Sequence, residues 1–164
     1  EHCGEGDLNW DAELELRVRL ARGADPSLPE LDRGKALVQA AGECTSAAQL
    51  RTWTGWLDRW TWAQRQRLDS LCPERIQGPR GHGLSVRYTA EGPVLSARVQ
   101  HLFGWSDAPR VAGVPLTVEL LSPANRPVQV TSDLAGFWRG SYAEVRREMR
   151  GRYPKHDWPE QPWL

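Results

Sequence analysis

Between Leu84 and Ala90 the apolar residues fall into a period of two, and a strand of that kind needs a sheet to join. Leu84, Val86, Tyr88 and Ala90 alternate with Ser85, Arg87 and Thr89, the pattern of a half-buried strand. Residues Leu116 to Leu121 and Val128 to Thr131 are expected as two further strands, a hairpin closed by the turn from Ser122 to Pro127. Gly92-Pro93 turns the chain between these segments, and Pro93 suits the first position of a helix. Leu95, Val99, Leu102 and Phe103 then follow helical spacing, with Gly104 as a stop. Arg75 to Gly83, carrying glycine and proline, is expected as a connector and subdomain boundary.

Upstream of residue 75 the signals are helical. Leu14, Leu16, Val18 and Leu20 alternate strictly with charged residues, which suits a strand. The helix formers around them, with Asn9 as a possible N-cap and Gly23 as a stop, favour a helix instead. Asp25 to Pro29 is a loop fixed by two prolines. A helix of small residues is expected from Lys35 to Ala48, interrupted near Gly42. A second is expected from Ala48 to Leu71, where Leu50, Trp53, Leu57, Trp60, Gln64 and Leu71 recur at helical spacing ahead of Pro73. Trp53, Trp56, Trp60 and Trp62 cannot all face one core, so Trp56 or Trp62 should be partly exposed. Such a ring marks either a docking surface or the place of a missing neighbour. The expected fold class is α+β. A helical half (1–74) precedes a small mixed unit (75–164) of about three strands with packed helices.

The last third holds the densest positive charge. Ser141 and Glu144 have the spacing of a capping box, Tyr142, Val145 and Met149 form an apolar stripe, and Gly151 is placed to end the helix in a left-handed turn. From Phe137 to His156 there are six cations, Arg139, Arg146, Arg147, Arg150, Arg152 and Lys155, against two Glu. Arg146 and Arg150 lie four apart and so share a face, with Arg147 beside them. Tyr153, His156 and Trp158 interleave flat rings with these cations, and Pro154 and Pro159 stiffen the backbone. Rings beside phosphate-binding cations are what single-stranded nucleic acid requires. The same residues also fit a plainer reading, a solvated helix face followed by a strap packed back on the domain.

The run DLAGFWRGSYAEVRREMRGRYPKHDWPE resembles the C-terminal signature of HrpB-type bacterial ATP-dependent helicases, of the DEAH-box class. The likeness extends back through VPLTVELLSPANRPVQVTSDLAGFW and PVLSARVQHLFGWSDAPRVAG to WAQRQRLDSLCPERI, so it covers about the last hundred residues closely. Asp157 stands where the family more often has Pro, and Gln161 where it often has an acid. The resemblance implies a parent helicase whose two motor lobes carry the ATP and magnesium chemistry and precede this chain. Its partners would be those motor domains and RNA or another single strand.

Neither a G-x-x-x-x-G-K-[ST] loop nor an Asp-Glu-x-His box occurs in the 164 residues. Gly78-Pro-Arg-Gly-His-Gly83 is glycine-rich but lacks the lysine, and Pro79 removes an amide donor. His2, His82, His101 and His156 are dispersed without zinc-ligand spacing, and neither Ser141 nor Asp133 has a base nearby in sequence. No catalytic residue, metal or cofactor is therefore expected on this stretch. Cys3, Cys44 and Cys72 form no C-x-x-C pair, there is no secretory leader pattern, and no apolar run approaches the ~20 residues that span a bilayer, so a cytoplasmic protein is expected. A chain beginning at Glu1 reads as a fragment, a processed product or an excised domain. Basic and acidic residues balance at 21 each, but the first 32 residues hold nine acids against three Arg. Arg outnumbers Lys 19 to two, which suits bidentate phosphate contacts and equally a GC-rich genome.

Two functions remain in view. One is an accessory helicase domain that contacts single-stranded nucleic acid through Arg139, Arg146, Arg147, Arg150, Arg152 and Lys155, with Tyr153, His156 and Trp158 alongside. The other is a protein-interaction module that docks its tryptophans on the motor lobes or on another protein.

Overall fold

The computed structural model describes residues 10–164. The expected cap Asn9 and the acidic leader, with His2 and Cys3, lie outside the described residues. The chain divides into two compact units, one ending at Cys72 and the other spanning Pro73–Leu164.

The first unit is helical. Helix α1, Ala12–Ala24, starts at Asp11, whose carboxylate accepts the Leu14 amide at 2.9 Å and supplies one of the partners a helix N-terminus lacks. It runs through Gly23 to a C-cap at Asp25. Helix formers thus prevail over the alternating pattern, because Val18 and Ala21, three apart, are the residues that bury. Arg17 is buried as well, its Nε donating to the Cys72 carbonyl at 2.7 Å and its terminal nitrogen pairing with Asp69. Asp25, hydrogen-bonded by Ser27 and Arg67, has a carboxyl lowered to about 2.

Helix α2, Arg33–Glu43, is capped by Asp32, and the short α3, Ala47–Leu50, by Ser46. The expected long helix from Ala48 to Leu71 does not form. Residues 51–61 are irregular, and α4, Trp62–Leu71, begins at a capping box made by Thr61 and Gln64. Gly55 permits the chain to fold back on its own tryptophan: a Cβ there would lie 2.6 Å from the Trp53 ring. Trp53 and Trp60 are buried, Trp56 is half-buried and Trp62 is 76% exposed.

The second unit is built on a five-stranded sheet. Strand β1 is Arg75–Gln77, β2 Gly83–Thr89 and β3 Gly92–Arg98. The supposed connector therefore contains an edge strand, antiparallel to β2. The expected helix after Pro93 is a strand. Val94, Leu95 and Ala97 are all buried, and a strand covered on both faces loses its alternation. Pro93 is tolerated because it enters at the strand's start. One 3-10 turn, Val99–Leu102, follows.

A small hairpin of β4, Arg110–Val111, and β5, Val114–Pro115, lies on the crossover to β6, Thr117–Leu121, which pairs parallel to β3. Strand β7, Pro127–Thr131, then pairs antiparallel with β6 as the sequence leads one to expect, with Asn125 at φ +59° in the turn. The order across the main sheet is β1-β2-β3-β6-β7.

Helix α5, Leu134–Arg139, is capped by Asp133, and α6, Tyr142–Arg152, follows after two residues. Ser141 makes no side-chain cap. It is already helical, and its carbonyl accepts the Glu144 and Val145 amides. Gly151 does not stop α6 either; the helix runs on to Arg152, and the Tyr153 amide closes it on the Met149 carbonyl at 2.7 Å. Among the described residues no helix is long and apolar enough to cross a membrane. The molecule is α+β.

Candidate nucleic-acid interface

An aromatic cluster fixes the basic helix. Phe103 packs edge-on against Tyr142 and Trp158, and Trp138 against Tyr142 at 5.2 Å. Leu134, Phe137 and Met149 are buried too. Burial raises the Tyr142 phenol to about 12, and its hydroxyl donates to the Pro159 carbonyl at 2.8 Å.

The tail after α6 returns over this cluster. Trp158 is only 5% exposed and its indole N–H donates to the Tyr153 carbonyl. The Gly104 amide donates to the Pro162 carbonyl at 2.7 Å. Trp158 is thus a core residue and is not open to a nucleobase.

The nine residues named from the sequence divide accordingly. Arg146 is tied into the strap: its Nε donates to the Trp158 carbonyl at 2.7 Å, a terminal nitrogen pairs with Glu160, and its side chain is 22% exposed. Arg152 is exposed and pairs with Glu148 one turn back. Arg139, Arg147, Arg150 and Lys155 are exposed and make no ion pair among the described residues. Tyr153 is half-buried and His156 exposed, their rings edge-on at 6.2 Å.

A depression of about 360 Å³ opens between α6 and the tail, lined by Arg146, Arg150, Pro154, His156, Asp157 and Trp158. It brings together Arg146, Arg150, His156 and the buried Trp158 from the expected set and leaves out Arg139, Arg147, Arg152, Tyr153 and Lys155. Two acids that sequence reasoning gave no role, Asp157 on its wall and Glu160 beside Arg146, moderate its charge.

Elsewhere the dispersed histidines prove partly gathered. His82 and His101 stack at 4.1 Å, 19 residues apart in the chain, although the described residues hold no group of three or more metal-ligating side chains. The glycine-rich loop before β2 turns its amides inward, Gly78 to the His82 carbonyl and Gly81 to the Gly78 carbonyl. With Pro79 lacking an amide, these three positions offer no backbone donor to an anion.

Comparison with known proteins gives these features their setting. The family model described as ATP-dependent helicase C-terminal (HrpB_C) matches residues 35–162. This chain belongs to that family. Within it, the chain is similar to the ATP-dependent RNA helicase HrpB of Escherichia coli (strain K12), 41% identical over 182 residues. That alignment covers 94% of this chain and 21% of the relative. Two solved structures agree. The crystal structure of the E. coli DExH-box NTPase HrpB matches with a TM-score of 0.84 at 37% identity, covering 98% of this chain and 22% of that one. The crystal structure of the Escherichia coli DEAH/RHA helicase HrpB matches with a TM-score of 0.68 at 36% identity, covering 93% and 22%. The HrpB_C chain described here therefore spans about a fifth of the length of these relatives.

Proposed function

We propose that this chain acts as the accessory C-terminal part of an ATP-dependent RNA helicase and contacts single-stranded nucleic acid through α6 and the turn that follows it. The observation that carries this reading is the set of exposed cations without an ion pair among the described residues: Arg147, Arg150 and Lys155, with Arg139 on the preceding helix. A solvated helix face ordinarily interleaves both signs, as Arg152 and Glu148 do. Arg150 and His156 on the wall of the depression would take phosphate oxygens, and Tyr153 with His156 supplies ring surface at the rim. Such contacts hold a strand without reading its sequence. Arg146 serves this surface indirectly, by fixing the tail that forms the far wall. ATP and magnesium would act on the motor domains of the same parent chain.

The test is a titration of the chain with a labelled single-stranded RNA at two salt concentrations, repeated with Arg147→Glu and Arg150→Glu together. Binding should weaken steeply with salt, and the double reversal should lower the log–log slope by about 0.7 for each phosphate that is no longer neutralised. Wild-type binding at low salt that the reversal leaves unchanged would sink the proposal.

A further inference from the structure

The first unit carries a groove that the nucleic-acid reading does not use. It holds about 290 Å³, near the low end for ligand pockets, and its apolar lining is Trp10, Trp53, Trp56, Trp60, Pro29 and Leu31. Its rings are held in place from behind. The Trp10 indole N–H donates to Glu15 at 2.6 Å, that of Trp53 donates to Glu43 at 2.7 Å, and Trp56 stands edge-on to both rings. Arg33 covers one face of Trp10 at 4.6 Å.

The other two indole donors are unspent. The N–H groups of Trp56 and Trp60 meet no acceptor among the described residues, and although Trp60 is only 8% exposed, neither nitrogen is sealed from solvent. A packed tryptophan ordinarily keeps a partner for its nitrogen, and these two donors lie open to one supplied from outside.

Charge decides what class of molecule supplies it. Glu30 and Asp32 on the lining balance Lys35 and Arg59, and Glu15 and Glu43 stand just behind the rings. Arg33, paired with Glu15, adds a cation beside Trp10, so the lining is close to neutral and a phosphate chain would lose its water for little in return. An uncharged ligand with flat apolar groups and strong carbonyl acceptors meets no such penalty. Proline in an extended peptide has both properties: its ring lies flat on an indole, and the preformed helix loses little entropy on docking.

We propose that this tryptophan-lined groove binds an extended, proline-containing peptide segment, with Trp56 and Trp60 donating to its backbone carbonyls and the indole faces taking its rings. The groove shares no residue with the basic helix, and the proposal does not depend on that helix.

The experiment is NMR of the 164-residue chain, its nine indole N–H resonances assigned, titrated with a blocked hexaproline peptide. A blocked Gly-Ser hexapeptide and a hexauridine RNA serve as the other arms. Hexaproline should move the Trp56 and Trp60 resonances, leave Trp62, Trp105 and Trp163 in place, and bind equally well at low and high salt. Trp56→Leu should weaken it at least tenfold. If that variant does not fold, the wild-type map decides alone. No shift at millimolar hexaproline, or the same shift with the Gly-Ser peptide, would overturn the proposal. So would movement of these two resonances by the RNA alone, which would make the groove a nucleobase site.

Discussion

Gly55 is the residue on which the tryptophan groove turns. Its missing Cβ leaves room for the Trp53 ring and for the Asp58 carboxylate at 2.7 Å from the same point. Gly55→Ala should force the buried indole outward and cost about 1–3 kcal/mol, read as a lowered urea midpoint with an unchanged m-value. A second single-residue effect concerns His101. Burial, then the charges of His82 and Arg98, lower its proton affinity in the folded state. The unfolded chain takes up a proton near the ordinary histidine value of about 6.5, where the folded chain still refuses it. Stability from this group is therefore fully present above that value and declines as pH falls toward the lowered folded one. Urea midpoints at pH 7.5 and 5.5 should differ in that direction, and His101→Gln should shrink the difference.

At the scale of elements, the strap over α6 separates residues that a charge count treats alike. Trp158→Ala removes a ring from the aromatic cluster and should cost about 3–5 kcal/mol by denaturant melt. Arg147→Glu, on the exposed face, should alter stability little while weakening RNA binding. Local signals in the sequence recover β2, the β6–β7 hairpin and α6 through apolar spacing and turn residues, and α1 and α2 through their helix formers and small residues. They fail at β3, where burial on both faces erases the period, and between α3 and α4, where tryptophans at helical spacing conceal the Thr61–Gln64 cap. The cations of α6 are legible one by one. That Arg146 is spent on a carbonyl 12 residues away, or that Trp10 joins Trp56, follows only from tertiary packing, and no pattern of neighbours encodes it.

For the whole molecule the even balance of 21 basic and 21 acidic residues sets its behaviour in solution. The chain should be least soluble near neutral pH and gain solubility on either side, as a turbidity series from pH 5 to 9 would show. With no overall field to attract it, RNA should be captured by the α6 region alone. One further consequence lies in the order of synthesis. The strands of the second unit are made before its tail, and Phe103, already against Trp138 and Tyr142, gains its last ring only from Trp158. A nascent chain halted before that tryptophan has cleared the exit tunnel would present an open aromatic face to chaperones, however complete its strands already are.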